Sequence, residues 1–246
     1  MTTLRVIGLE GIPEVRPEDD VAALIADGAE RAGGIEEGDV VVVAHKVVSK
    51  AEGRVVRLDD VEPSAYARDL AGDEDPRRLE VILREAARVV RTRPPLVIAE
   101  TRHGFVCASA GVDSSNAPES GTVVLLPVDP DASAERLRSR LAELTGVVVG
   151  VVVTDSFGRA WRQGTTDVAV GVAGVRALLD LRGERDRTGY ELHATQIALA
   201  DEIAGAAELV MGKTTQVPAA IVRGLDVAGD GCARDLVMPA ERDLFR

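Results

Sequence analysis

The sequence predicts a mixed α and β fold, since short β-branched runs alternate irregularly with segments of helical apolar period. Composition agrees: 46% of residues are hydrophobic but only 2% aromatic, which calls for an aliphatic core of Val, Leu, Ala and Ile. A chain of 246 residues can bury such a core as one or two domains, and no repeat or low-complexity linker divides it. The residues alone leave the topology undecided.

Leu4 to Ile7 reads as a first strand. Asp19 or Asp20 can cap a helix whose apolar stripe is Val21, Leu24, Ile25, Ala29 and Ala32, ended by Gly33-Gly34, although Gly28 on that stripe weakens it. Val40 to Ala44 is a buried strand running into HKVVSKAEGR, and Val55-Val56 resume extended structure. Asp75-Pro76 opens a second helix carrying Leu79, Ile82, Leu83, Ala86, Val89 and Val90, with Pro94-Pro95 as its stop. Leu96 to Glu100 and Val123 to Leu126 are strands. A helix from about Asp131 bears Leu137, Leu141 and Leu144. Val147 to Thr154 is the most apolar strand, Ala194 to Met211 a long helix, and Ala219 to Val222 a late strand.

Charge and cysteine usage exclude several classes. A net charge of −12 leaves no basic face for nucleic acid, though it permits a local cationic pocket for one small anion. Cys107 and Cys232 are too few for a disulfide framework, which suits reduced thiols in a cytoplasmic protein. The amino terminus does not read as a signal peptide, and the run from Val147 to Val153 is far short of a membrane span.

Function is written most densely between Val147 and Gly174. There an apolar run gives way to Thr154-Asp155-Ser156, then Arg159, Trp161, Arg162, Gln163, Thr165, Thr166 and Asp167. Buried polar groups must be paired, so the cluster reads as a site for an anion with a metal. The alternative is a solvated turn with Trp161 covering a sheet edge. A second polar island, Asp113-Ser114-Ser115-Asn116, adds oxygen donors of the kind magnesium or manganese takes. Taken alone, that island is better accounted for by an Asx-turn. Of 29 basic residues only Lys46, Lys50 and Lys213 are lysine. A genome rich in G and C drifts surface cations to Arg, so the survivors mark places where a compact ammonium matters, with chance retention as the alternative.

Familiar nucleotide signatures are missing. No G-x-G-x-x-G follows a strand, so the fold is not Rossmann-like. Ala207 to Thr214 approaches a Walker A loop, but Ala207 stands at the first Gly and Glu208 to Met211 look helical, so it is not a P-loop either. Zinc signatures are also lacking, and His45, His103 and His193 are scattered.

The motifs VIGLEGIPEVRPEDD, DVVVVAHKVVSKAEGR, DPRRLEVILREAARVVR, HGFVCASAGVDSSN, LLPVDPDASAERLR, VVVTDSFGRAWRQGTTDVAVGVAG, ADEIAGAAELVMGK and VPAAIVRG follow one another along the chain. In that order the sequence resembles the coenzyme F420-0:L-glutamate ligase (gamma-glutamyl ligase) family over essentially its whole length. The resemblance implies an α+β fold of mixed sheets with packed helices, and one ligase unit over residues 1–246, with two interleaved subdomains as a variant. It also implies a homodimer. The additional flavin-dependent reductase domain of some actinobacterial relatives is not expected. The implied activity is the addition of L-glutamate to the deazaflavin coenzyme F420-0 through an amide bond, with GTP as co-substrate. Magnesium or manganese, two ions per subunit, and a monovalent cation such as potassium are the implied ions.

By the same resemblance Ile12, Pro13, Glu14 and Val15 match a GTP-contacting segment, with Glu10-Gly11-Ile12 as a small insertion. Lys50 matches a GTP-binding lysine, and His45 stands where many relatives have Ser. Lys46 and Asn116 join the nucleotide site. Met211, Gly212, Lys213, Thr214, Thr215, Gln216, Val217 and Pro218 match a late GTP-binding segment. Asp113 and Asp155 match metal ligands and Ser156 a ligand of a second metal. Lys213 replaces a Gln that serves the metal in archaeal relatives; an ammonium cannot ligate a cation, so Lys213 is assigned to phosphate. Lys50, Lys213, Arg159 and Arg162 are the expected catalytic cations, the two arginines for the substrate's phosphodiester or the carboxylates of glutamate. The rivals are a metal-dependent phosphohydrolase and a silent nucleotide- or deazaflavin-binding protein.

Overall fold

The computed structural model describes residues 3–244. Its first strand, β1 (Arg5–Gly8), leads through Leu9 to α1 (Val21–Arg31), which Asp20 caps by accepting from the Ala23 N–H at 3.1 Å. Next come β2 (Val40–Ala44), α2 (His45–Ala51) and β3 (Val55–Arg57). The short α3 (Ala65–Ala71) and α4 (Pro76–Glu85) follow, then β4 (Ala86–Arg93), β5 (Leu96–Thr101), β6 (Val106–Ala108) and β7 (Thr122–Val124). The second half holds α5 (Pro130–Thr145), β8 (Gly150–Gly158), β9 (Thr165–Ala173), β10 (Leu179–Asp180) and β11 (Gln196–Ile197). It closes with α6 (Leu199–Met211) and β12 (Ala219–Arg223).

The expected α+β class holds. The central sheet runs β1-β12-β2-β8-β9, and β2–β8 is its parallel pair among antiparallel neighbours. Strand β2 is apolar at every position because both of its faces are covered. Val41 and Val43 pack with α1 and α5, whereas Val40 and Val42 pack with α6. A third core lies apart, where α3 and α4 press Leu70, Leu79 and Ile82 against Val97, Ala99 and Val123. Cys107 is buried, and desolvation pushes its thiol up to about 12, so it is a packing residue.

Three elements differ from the sequence reading. The α4 helix ends at Glu85, not at Pro94-Pro95, and Ala86, Val89 and Val90 belong to β4. Val89 and Val90 suit either period. The antiparallel partner β5 decides for strand, and Glu85 is held by Arg54 at 2.7 Å. The long late helix starts only at Leu199, because Gln196 and Ile197 pair with β10. Strand β8 begins three residues later than Val147 and runs on to Gly158, supported by β9.

Gly171 on β9 makes the α5–sheet contact possible. A Cβ there would stand 2.3 Å from the Pro130 carbonyl oxygen. Gly171→Ala should therefore cost about 1–3 kcal/mol and lower Tm by roughly 2–10 °C in a thermal melt. A melt within a degree of wild type would show that α5 can shift away freely.

Candidate active site

The topology brings separated segments to one edge of the central sheet. Strands β2 and β8 are parallel, so both end there, with Ala44 opposite Thr154. The antiparallel neighbour β12 begins there, so residues 211–218 lie at the same edge. Strand β1 delivers Leu9 and the 12–15 segment beside them. These pieces line a cavity of about 540 Å³. A crevice at the carboxyl ends of parallel strands is where α/β sheets bind ligands.

Most of the residues expected at a site lie in its wall. Ile12, Pro13, Glu14 and Val15 form one side, and His45, Lys46 and Lys50 project from α2. Asp155 and Ser156 come from β8, and Asn116 from the loop before β7. Met211, Gly212, Lys213, Thr214, Gln216, Val217 and Pro218 complete the wall, and the Thr215 hydroxyl turns back to the Met211 carbonyl. Asn116 Nδ2 reaches the Lys213 carbonyl at 3.5 Å, joining two segments 97 residues apart.

Two of the three lysines are held by acids. Lys50, buried, donates to Glu14 Oε1 at 2.5 Å. Lys46 Nζ bonds Asp113 Oδ2 at 2.6 Å and the Ser115 hydroxyl at 2.7 Å. Asp113 is not among the lining residues and meets the cavity only through its ion pair with Lys46. Burial would raise the Asp113 carboxyl, but Lys46 and the Ser115 N–H and hydroxyl outweigh it and hold it at about 2. Asp155 behaves alike: burial opposes its charge, while His45, the Ser156 N–H and Lys46 together hold the carboxyl below its usual range. Lys46 thus acts on both acids assigned to metal.

Asp167 is a functional candidate that the site assignment missed. It is buried on β9 opposite Ser156. Its Oδ1 accepts from the Ser156 hydroxyl at 2.5 Å and its Oδ2 from the Thr154 hydroxyl at 3.1 Å. A register shift between β8 and β9 at Val153/Thr154 sets which side chains face the cavity there, a common use of bulges. Reading Thr165 to Ala173 as a strand paired with Thr154 to Gly158 is the signal that would have found it.

Arg159 and Arg162 do not reach the cavity. Both lie in the exposed turn of the β8–β9 hairpin, where Arg159 Nη2 donates to the Gln163 carbonyl at 2.9 Å, and Trp161 is 82% exposed there. The strands continue in pairing well past the sheet edge, which carries the turn away from the wall. The expected anchoring role of these arginines is not supported by this placement.

Among the described residues no three His, Cys, Asp or Glu side chains gather closely enough to hold a metal by themselves. Asp155 and Ser156 still offer the oxygen donors of a hard cation that keeps water and phosphate oxygens in its shell, whereas a cation reaching Asp113 would have to displace Lys46. No described helix is long and apolar enough to cross a membrane.

A compact ammonium and a planar guanidinium present charge differently. Lys50→Arg and Lys213→Arg should each weaken binding of an anionic ligand in this cavity or lower turnover about tenfold, roughly 1.4 kcal/mol. Arg68→Lys, on the exposed α3 surface, should change nothing in steady-state kinetics. Equal indifference at all three positions would reduce the retained lysines to a compositional accident.

Comparison with known proteins adds a separate line of support. A family model described as F420-0:Gamma-glutamyl ligase matches residues 11–224. The coenzyme F420:L-glutamate ligase of Methanopyrus kandleri is 51% identical over 257 residues, spanning the whole of both chains. That of Methanothermobacter thermautotrophicus is 43% identical over 250 residues, 99% of each chain. The enzyme of the same name from Methanocaldococcus jannaschii is 45% identical over 216 residues, 86% of each.

Proposed function

The chain belongs to the F420-0:gamma-glutamyl ligase family and is a ligase that forms carbon–nitrogen bonds, and from that premise we propose that it joins L-glutamate to coenzyme F420-0 using GTP and divalent metal. The observation that carries the finer reading is convergence. Segments 12–15, 45–50 and 211–218, far apart in sequence, line one cavity with Asn116, Asp155 and Ser156.

Amide formation from a carboxylate at neutral pH needs activation. In the proposed sequence a carboxylate oxygen of F420-0 attacks the γ-phosphorus of GTP, and GDP leaves. The glutamate nitrogen then attacks the acyl carbon, the C–O bond to phosphate breaks, and the nitrogen gives up its proton. Phosphoryl transfer asks the protein mainly for positioning and charge neutralisation. Lys50 and Lys213 stand on the cavity wall for the phosphates, and residues 212–218 supply backbone around them. Glu14 fixes the Lys50 ammonium in place. Asp167 accepts hydrogen bonds from the Ser156 and Thr154 hydroxyls, which turns the Ser156 oxygen lone pairs away from it. Divalent metal, held by Asp113, Asp155 and Ser156, would neutralise charge on the phosphate oxygens.

The test measures phosphate and amide in the same reaction, with GTP, manganese and F420-0, with and without glutamate. GTP cleavage should require F420-0 and be strongly stimulated by glutamate, with one amide per phosphate. A ligase must keep its activated acyl group from water. Rapid GTP cleavage needing neither substrate, with no amide formed, would instead identify a phosphohydrolase.

A further inference from the structure

Among the described residues, Nε2 of His45, buried in the cavity wall, finds no partner in hydrogen-bond alignment. The side chain is only 2% exposed, so bulk water cannot satisfy it. The facing atom is Asp155 Oδ1, 3.3 Å away. On the other side of the ring, Nδ1 meets the hydroxyl of fully buried Ser49 at 3.3 Å.

These contacts suit a metal-binding tautomer. With the Nδ1–H donated to Ser49 Oγ, Nε2 carries a lone pair aimed into the same space as the Asp155 carboxylate. A protonated ring pairs with Asp155 across this gap, and in the tautomer described a divalent ion lying between the two donor atoms would take the place of that proton. Two donors each about 2.0–2.2 Å from one ion are roughly 3.0–3.5 Å apart, which the observed separation matches. Metal-bound histidines characteristically donate their second ring N–H to a fixed outer partner, the part Ser49 plays here.

We propose that His45 Nε2 is a direct ligand of the divalent ion held by Asp155, one nitrogen in an otherwise oxygen shell, and that it biases the site toward manganese over magnesium. Magnesium takes oxygen ligands almost exclusively, whereas imidazole suits transition ions. This inference rests on the metal-dependent reading of the site.

The test is pulsed electron paramagnetic resonance of Mn(II) bound to the full chain, alone and with GDP, using protein grown with ordinary and with 15N-labelled histidine. A directly bound imidazole gives a 14N coupling that changes to the 15N pattern on labelling and vanishes in H45S. Mn(II) should still bind H45S, with its apparent Kd raised at least about tenfold, the loss seen when even an outer partner is removed. Binding of Mg(II) should change little. Mn(II) bound to wild type without imidazole coupling overturns the ligand assignment and leaves the ligase reading standing. No Mn(II) binding under either condition overturns the ligand assignment together with the metal-dependent reading of the site. The wild-type spectra decide the question even if H45S folds poorly, and H45Q provides a second variant.

Discussion

Asp155→Asn should lower ligation about a thousandfold, roughly 4 kcal/mol of transition-state stabilisation. The amide keeps the shape of the side chain and can still accept the Ser156 N–H, which Asp155 Oδ1 receives at 2.8 Å. What is lost is the negative charge that faces His45 and feels Lys46. The fold should suffer only modestly, with a definite pH dependence. The carboxyl is held below its usual range in the folded protein, so its charge favours folding above the unfolded value near 4. That contribution disappears as pH falls through the lower, folded value. Thermal melts should therefore place the variant below wild type at pH 7, with the gap closing in acid. Amide synthesis at near wild-type rate would remove Asp155 from the mechanism. Asp113→Asn should also abolish ligation, because it removes the acid partner of Lys46.

A loss of about a hundredfold in turnover is expected for Asp167→Asn, with a smaller change in the KM for GTP. Asp167 accepts two hydroxyl protons, from Ser156 and Thr154. An amide nitrogen at either position donates instead, so one hydroxyl must rotate and present its proton where its lone pair stood. Misaligning a group that positions substrate costs on the order of 100-fold even when the group makes no bond to it. Asp167→Ala is a contrasting variant. It leaves the buried Thr154 hydroxyl with only the Val168 carbonyl at 3.0 Å and opens space, so it should also lower stability by about 1–3 kcal/mol. Full kcat in Asp167→Asn, measured as amide formed under saturating GTP, would assign this carboxylate to the strand pair alone.

Local chemistry determined much of this protein from sequence. Asp20 caps α1 because its short carboxylate meets the free Ala23 N–H whatever else the chain does. The unbroken Val40–Val43 run could only be a strand covered on both faces. The motif order that marks the family also picked out segments that share one cavity, since each is a contiguous stretch that the fold carries there. Tertiary pairing decided the rest. Ala86 to Arg93 became a strand because β5 offered a partner to residues whose periodicity suited either state. Asp167 entered the site because β9 pairs with β8, and Arg159 and Arg162 left it because the same hairpin runs past the sheet edge. The contact of Lys46 with Asp113 spans 67 residues, and that of His45 with Asp155 joins a helix start to a distant strand. Strand pairing and side-chain reach act between segments that share no local pattern, so a one-dimensional reading carries no trace of them.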